Sequence, residues 1–255
     1  MQRRQIDLNC DMGEGFGAYQ LGNDDDVIKL VSSVNIACGY HGGDPDVMDH
    51  TVAMANKYNV GIGAHPGFPN LLGFGRWNMD IPSKTLTNLI IYQIGALDIF
   101  CRKHGVTMQH VKPHGNLNNM ADTDTMIATS IVDAVQSINP KLPIYVKPNS
   151  ELEKVANEKG QPIVLELFAD RAYNKDLTLV PRCQVGAVIT DPHQVAVNVL
   201  KMVTENYITT ITGEKIAVEG QTICVHGDTP SAVEMIRVIR EKLEENQIMI
   251  ASSNY

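Results

Sequence analysis

Short apolar runs alternate with amphipathic stretches along the whole chain, and this alternation restricts the fold more than any other feature. Runs that read as strands lie at Gln5–Cys10, Val34–Cys38, Val60–Ala64, Gln109–Lys112, Pro143–Lys147, Ile163–Phe168 and Thr222–Val225. Most are continuously apolar, as expected of parallel strands covered on both faces. A shorter run at Gly186–Ile189 is an eighth candidate. Between them, Leu86, Ile90, Ile94, Leu97 and Cys101 share one helix face, as do Ala232, Ile236, Ile239 and Leu243. Further helices are predicted over about 24–33, 46–58, 123–138, 151–159 and 193–205. A β/α alternation of this length implies an α/β protein with a parallel sheet, open or closed. No Ser/Pro/Gly-rich linker or charge block interrupts it, so residues 1–255 read as one domain.

Composition narrows the function classes. With 44% hydrophobic and 20% charged residues over 255 positions, there is ample material for a core. The formal net charge of -8 and the absence of a Lys/Arg run argue against a nucleic-acid or anionic-membrane surface. No apolar run approaches membrane-spanning length. The basic start, Met-Gln-Arg-Arg-Gln, is not followed by an apolar signal segment. Five cysteines without a C-x-x-C pair suit a reducing cytoplasm, the expected location. Of these, Cys10, Cys38 and Cys224 read as small core or supporting groups rather than nucleophiles.

The polar residues cluster directly after the strands. Strand one runs into Asp11-Met-Gly-Glu14, strand two into Gly39-Tyr-His41-Gly-Gly-Asp44, and strand three ends at His65-Pro-Gly. Strand four ends in Lys112-Pro-His114-Gly-Asn116, strand six in Asp170-Arg171, and the last in His226-Gly-Asp228-Thr-Pro. Four of the eight histidines, His41, His65, His114 and His226, therefore sit at strand carboxyl ends. In a parallel barrel those ends share the face that carries chemistry, so residues distant in sequence converge there. His50, His104, His110 and His193 read as surface or internally satisfied groups. Asp44 precedes Pro45 and suits a helix N-cap as well as a ligand. Thr229 can cap the next helix, which leaves Asp228 for function, and two such helix N-termini could receive an anion. There is no P-loop, H-E-x-x-H, G-x-S-x-G or dinucleotide fingerprint.

The segments "IDLNCDMGEGFG", "VNIACGYHGGDP", "GIGAHPGF" with "GFGR", "HVKPHGNLNN", "ELFADRAY" with "LVPR", and "ICVHGDTP" resemble the LamB/YcsF family, in order and over about residues 6–246. The resemblance implies a seven-stranded parallel (β/α) barrel, TIM-like and related to the sugar-deacetylase architecture. It implies ATP-dependent hydrolysis of 5-oxo-L-proline to L-glutamate, carried out with 5-oxoprolinase subunits B and C. ATP, with Mg2+, is then the expected cofactor, bound by this chain or by the partners, and self-association is possible. Two departures bear on substrate preference. Trp77 follows Arg76 where the family carries a second basic residue, and Asn116 and Asn118 stand where the family has "HGALYN".

Opening a lactam needs a base for water, an acid for the leaving nitrogen, and cations or N–H donors for the oxyanion or phosphate. Asp11, with Glu14 nearby, is the first choice for base, and Asp170 or Asp228 the second. His41, His65, His114 and His226 can donate to oxygen, shuttle protons or bind metal. Lys112 and Arg171 are the best anion partners, with Asn116, Asp228 and Arg76 as further binding candidates, although Arg171 could instead pair with Asp170 or Glu166. Two rival readings remain. One is a metal-dependent amidohydrolase or deacetylase using Asp11, His65 and His114. The other is a non-catalytic subunit that binds a small acid. If these groups do acid–base work, Asp11→Ala or His114→Ala lowers turnover about 10²–10⁴-fold, and near-normal turnover in either variant excludes the assignment.

Overall fold

A computed structural model describes residues 5–227 and 231–252. In chain order its strands are β1 (Gln5–Met12), β2 (Ser33–Ala37), β3 (Gly61–His65), β4 (His110–Val111), β5 (Ile144–Val146), β6 (Ile163–Phe168), β7 (Tyr207–Thr209), β8 (Lys215–Ala217), β9 (Thr222–Cys224) and β10 (Met249–Ile250). The helices are α1 (Asp24–Val27), α2 (Pro45–Tyr58), α3 (Ser83–Lys103), α4 (Gly115–Ala121), α5 (Thr125–Ile138), α6 (Glu151–Glu158), α7 (Pro192–Glu205) and α8 (Ala232–Glu245). β1 to β6 pair in sequence, β6 pairs with β9, and β9 returns to β1, so seven parallel strands close a barrel. β10 adds to the first residues of β1, in register Gln5 to Met249. No helix among the described residues is long and apolar enough to cross a membrane.

Side chains alternate across each strand, and here the alternation sorts apolar from polar. On β1, Ile6, Leu8, Cys10 and Met12 belong to the hydrophobic layer between strands and helices. Asp7, Asn9 and Asp11 point into the barrel, which is filled by hydrogen-bonded polar groups. Asp7 accepts from Ser32 (2.6 Å), Ser33 (2.8 Å) and Thr222 (2.5 Å), and from Tyr145 across the interior (3.0 Å). Above it, Asn9 donates to Glu166 (3.0 Å) and Thr222 (2.7 Å), and Asn35 donates to Asn9 (2.7 Å). His110 donates to Asn35 (2.6 Å) while its ring stacks on Tyr145 at 3.9 Å. Partners of this kind are what make buried polar groups tolerable.

The differences from the sequence reading have local causes. Gly186–Ile189 is not a strand. The ring is already closed by β6 and β9, and this segment folds back so that Val188 bridges Arg171 and Ile189 donates to the Asp170 carbonyl. The helix expected over 24–33 stops at Val27, because the Ser32 amide and hydroxyl are drawn to Leu8 and Asp7 of β1. α4 has no counterpart in the sequence reading, since Gly115 and three asparagines hide a helical signal. The β7–β8 hairpin lies outside the ring and carries no apolar run to mark it.

Gly63 shows how tightly the interior is filled. A Cβ there would lie 2.0 Å from Nε2 of His110, whose ring is held by Asn35 and Tyr145 and cannot retreat. Gly63→Ala is therefore expected to destabilise the fold by at least the ~1–3 kcal/mol typical of overpacking. Gly95→Ala on α3, where a Cβ meets nothing within 4 Å, should stabilise by about 0.5–1 kcal/mol. Urea unfolding of the two variants checks the contrast, and equal midpoints would contradict it.

Candidate active site

The ammonium of Lys112, 2% exposed, sits at the top of the polar interior. It donates to Asp11 Oδ1 (2.9 Å) and Cys224 Sγ (3.0 Å), and it pairs with Glu166 Oε1 (3.0 Å). Burial pushes this amine down, but Asp11, Cys224 and Glu166 outweigh it and hold Lys112 well above its usual value. Burial likewise pushes Asp11 up, yet the charges of His65 and Lys112 keep it well below the ordinary carboxylate range. Burial pushes the Cys224 thiol well up, so it remains a neutral acceptor. The backbone of Lys112 also matters. Its carbonyl accepts from His65 Nδ1 (2.6 Å), which orients His65 toward Asp11 and His114.

A second cluster lies beside it. His41 and His114 stack at 3.6 Å and 2°, with His65 edge-on to both. Burial pushes both stacked imidazoles well below their usual value, so they are neutral. Glu14 accepts from His41 Nε2 (3.2 Å) and lies 3.4 Å from His114 Nδ1. Two glycines make room for the stack. A Cβ on Gly67 would lie 2.6 Å from His41 Nδ1, and one on Gly75 would lie 2.7 Å from His114 Cδ2. Gly67 is fixed in turn by Gln93 of α3, which accepts from its amide (2.8 Å) and donates to its carbonyl (3.0 Å).

Asp170 and His226 form a third group. His226 Nδ1 donates to both oxygens of Asp170, at 2.8 and 2.9 Å. Despite burial, His226 holds Asp170 below the ordinary carboxylate range. The bond commits Nδ1 as donor and leaves Nε2 as the nitrogen that can accept a proton. All three groups border one cavity of about 500 Å³, within the usual range for small-ligand sites.

The structure thus brings Asp11, Glu14, His65, Lys112, His114 and His226 onto a shared cavity, with Arg76, Asn116 and Arg171 also in its wall. His41 and Asp170 stand just behind it through His114 and His226. Arg171 does not pair with Asp170 or Glu166. It donates to the carbonyls of Val180 (2.6 Å) and Ala187 (3.3 Å) and so fastens the loop after β6. Asn116 donates to Asn78 (2.7 Å), tying α4 to the loop after β3. Asp44 is the N-cap of α2, accepting from Asp46 and Val47, and it also accepts from Gly17, so that helix end is not open to a ligand. Asp228 lies outside the described residues. The metal set Asp11, His65 and His114 is regrouped. The compact cluster of ligand atoms is Glu14, His41, His65 and His114, while Asp11 Oδ1 is engaged by Lys112 and Asn35. Sequence reasoning missed Lys147, which follows β5, donates to Asn119 (3.0 Å) and pairs with Asp122. It also missed Arg182 in the wall, although Arg182 stood in the quoted "LVPR", whereas Asn118, noted in the sequence as bearing on substrate preference, is in the wall too.

Known proteins resemble this chain over nearly its whole length. The model of the LamB/YcsF family matches residues 6–255. A protein of Bacillus cereus (strain Q1), named as the A subunit of 5-oxoprolinase, is 50% identical over 248 residues, 97% of this chain and 98% of that protein. One of the same name from Clostridium beijerinckii is 49% identical over 246 residues, 96% of each. The crystal structure of the lactam utilization protein from Thermus thermophilus superposes with a TM-score of 0.94 at 40% identity, covering 98% of this chain and 100% of that one.

The charge network yields a stability test. Lys112→Met leaves Asp11 and Glu166 buried without their cation, a loss that costs about 3–5 kcal/mol. In the wild type, Asp11 and Asp170 are depressed. Their stabilisation is complete above the unfolded value near ~4 and is lost as pH falls toward the folded values. Lys112→Met removes part of the charge that depresses Asp11, so its deficit in urea midpoint relative to wild type should shrink as pH falls from 7 to 5. A variant midpoint equal to wild type at pH 7 would contradict the assignment.

Proposed function

The chain belongs to the LamB/YcsF family, and from that premise we propose that it is the A subunit of an ATP-dependent 5-oxoprolinase, opening 5-oxo-L-proline to L-glutamate. The observation that carries the reading is the Asp170–His226 pair on the same cavity as the Lys112–Asp11 pair, in a chain half identical to proteins of that name. The lactam is an unstrained amide and resists direct attack. Transfer of the terminal phosphoryl group of ATP to its carbonyl oxygen makes the carbon electrophilic. Water then adds to that carbon, the C–N bond breaks as the nitrogen takes a proton, and the resulting acyl phosphate is hydrolysed by a second water, giving glutamate, ADP and phosphate.

His226, oriented by Asp170, is suited to take the proton from water and to return it to the leaving nitrogen. Arg76 and Arg182 in the wall suit the substrate carboxylate or the phosphoryl group. The buried amide oxygen of Asn118 has no hydrogen-bond partner and suits the lactam N–H. Partner subunits, B and C in this reading, would complete the assembly and bind or deliver ATP, since the chain has no P-loop.

The imidazole cluster around Glu14 favours one alternative, metal-dependent amide hydrolysis by this chain alone. Glutamate release separates the two. The purified chain is assayed with 5-oxo-L-proline, alone and with subunits B and C, each with and without ATP. Release only with partners and ATP is expected. Release by the chain alone without ATP would favour the alternative, and no release in any mixture would overturn the proposal.

A further inference from the structure

The cluster of Glu14, His41, His65 and His114 holds a problem that its own hydrogen bonds do not solve. His65 Nδ1 donates to the Lys112 carbonyl (2.6 Å), and His114 Nε2 donates to the Phe74 carbonyl (2.8 Å). Those bonds aim the other nitrogens, His65 Nε2 and His114 Nδ1, at each other across 3.0 Å, with Asp11 Oδ2 3.4 Å from the first and Glu14 Oε1 3.4 Å from the second. A proton on one ring serves one of these contacts at a time, whereas a cation would engage several at once. Ligand atoms of Glu14, His41, His65 and His114 all lie within 4.8 Å of one another.

The spacing and surroundings agree with a cation. Ligands about 2.0–2.1 Å from a tetrahedral ion lie about 3.3 Å from each other. The separations here are 3.0 Å between His65 and His114 and 3.4 Å between His114 and Glu14. Donation of the outer ring nitrogen to a backbone carbonyl, seen at both His65 and His114, is the usual support of a metal-bound imidazole. The rings are also held in advance by Gly67 and Gly75, where any Cβ would collide with them.

We propose that Glu14, His65 and His114, with His41 stacked on His114 and donating to Glu14 behind them, form a binding site for one divalent first-row transition-metal ion of the zinc type. Two imidazoles and one carboxylate suit zinc or cobalt better than Mg2+, which requires oxygen ligands in octahedral array. Glu14, His65 and His114 line the cavity, so a bound ion would have a side turned toward whatever occupies it. The inference rests on the cluster alone and stands apart from the identity of the substrate.

The test is metal binding by the full chain, without substrate or partners. Chelator-stripped protein is titrated with Zn2+ and with Mg2+ by calorimetry, and with Co2+ by visible absorption. One Zn2+ per chain is expected, with a tetrahedral Co2+ spectrum that Zn2+ displaces and Mg2+ does not. His65→Ala and His114→Ala should each weaken Zn2+ binding by about 100-fold or more, whereas His226→Asn, on the same cavity, should bind as the wild type does. The Co2+ spectrum of the wild type decides the matter even if a variant fails to fold. Absence of Zn2+ binding at micromolar concentration, an octahedral Co2+ spectrum, or unchanged affinity in folded His65→Ala and His114→Ala would overturn the proposal.

Discussion

A buried ammonium is the interaction on which the rest of the architecture depends. Lys112 places a full charge inside a barrel, and that is tolerable only with counter-charges and hydrogen-bond acceptors at contact distance. Asp11 from β1, Glu166 from β6 and Cys224 from β9 supply them. The residue works at both ends. Its side chain fixes Asp11, and its carbonyl fixes the ring of His65. β4 is only two residues long, so Lys112 stands where the chain leaves the strand and can serve the interior and the cavity together. The polar tiers below, Asn9 with Asn35 and His110, then Asp7 with its four hydroxyl donors, continue the same solution downward. An aliphatic barrel core would leave Asp11 and Glu166 without this scaffold.

The glycine-rich turns around the histidines acquire a specific meaning in this setting. They supply space rather than suppleness. A Cβ on Gly42 would meet the Glu14 carbonyl at 2.7 Å, so the turn after β2 packs directly on the turn after β1 and brings Glu14 to His41. Gly67 and Gly75 perform the same service for the two stacked rings. The His41 segment is therefore part of a wedge, locked between three loops, rather than an open loop end.

Much of this was legible because it is written in residue class. Seven strands and the long helices announce themselves through apolar faces that must be covered. Histidines repeated at strand ends imply convergence once the strands are parallel, and His41, His65 and His114 do meet. The inward half of each strand was harder to read. Asn9, Asn35, His110 and Glu166 interrupt apolar runs, and nothing local says that they find one another across a barrel. Gln93 acts from the middle of an amphipathic helix through two bonds to a single glycine, a relation without sequence signature. Lys147 follows a strand as Lys112 does, but pairs with Asp122 from the loop between α4 and α5, which itself read poorly. Arg171 resembled a ligand or an ion-pair partner and proved to be a backbone clasp, because two carbonyls of its own loop come within reach first.

The pairing of β1 with β9 joins residues at opposite ends of the sequence. Thr222 donates to Asp7 and receives from Asn9, contacts that span 215 and 213 positions. Neither Asp7 nor Asn9 completes its set of partners until residue 222 is available. During synthesis β1 must therefore wait, its carboxylate still hydrated, until the chain has grown the 215 positions from Asp7 to Thr222. Long-range closure of this kind slows folding and prolongs the exposure of apolar strand faces. The closing strand is thus also a checkpoint. A chain cut short before it could form helices and local strand pairs, but it could not dehydrate the charge network that assembles the cavity.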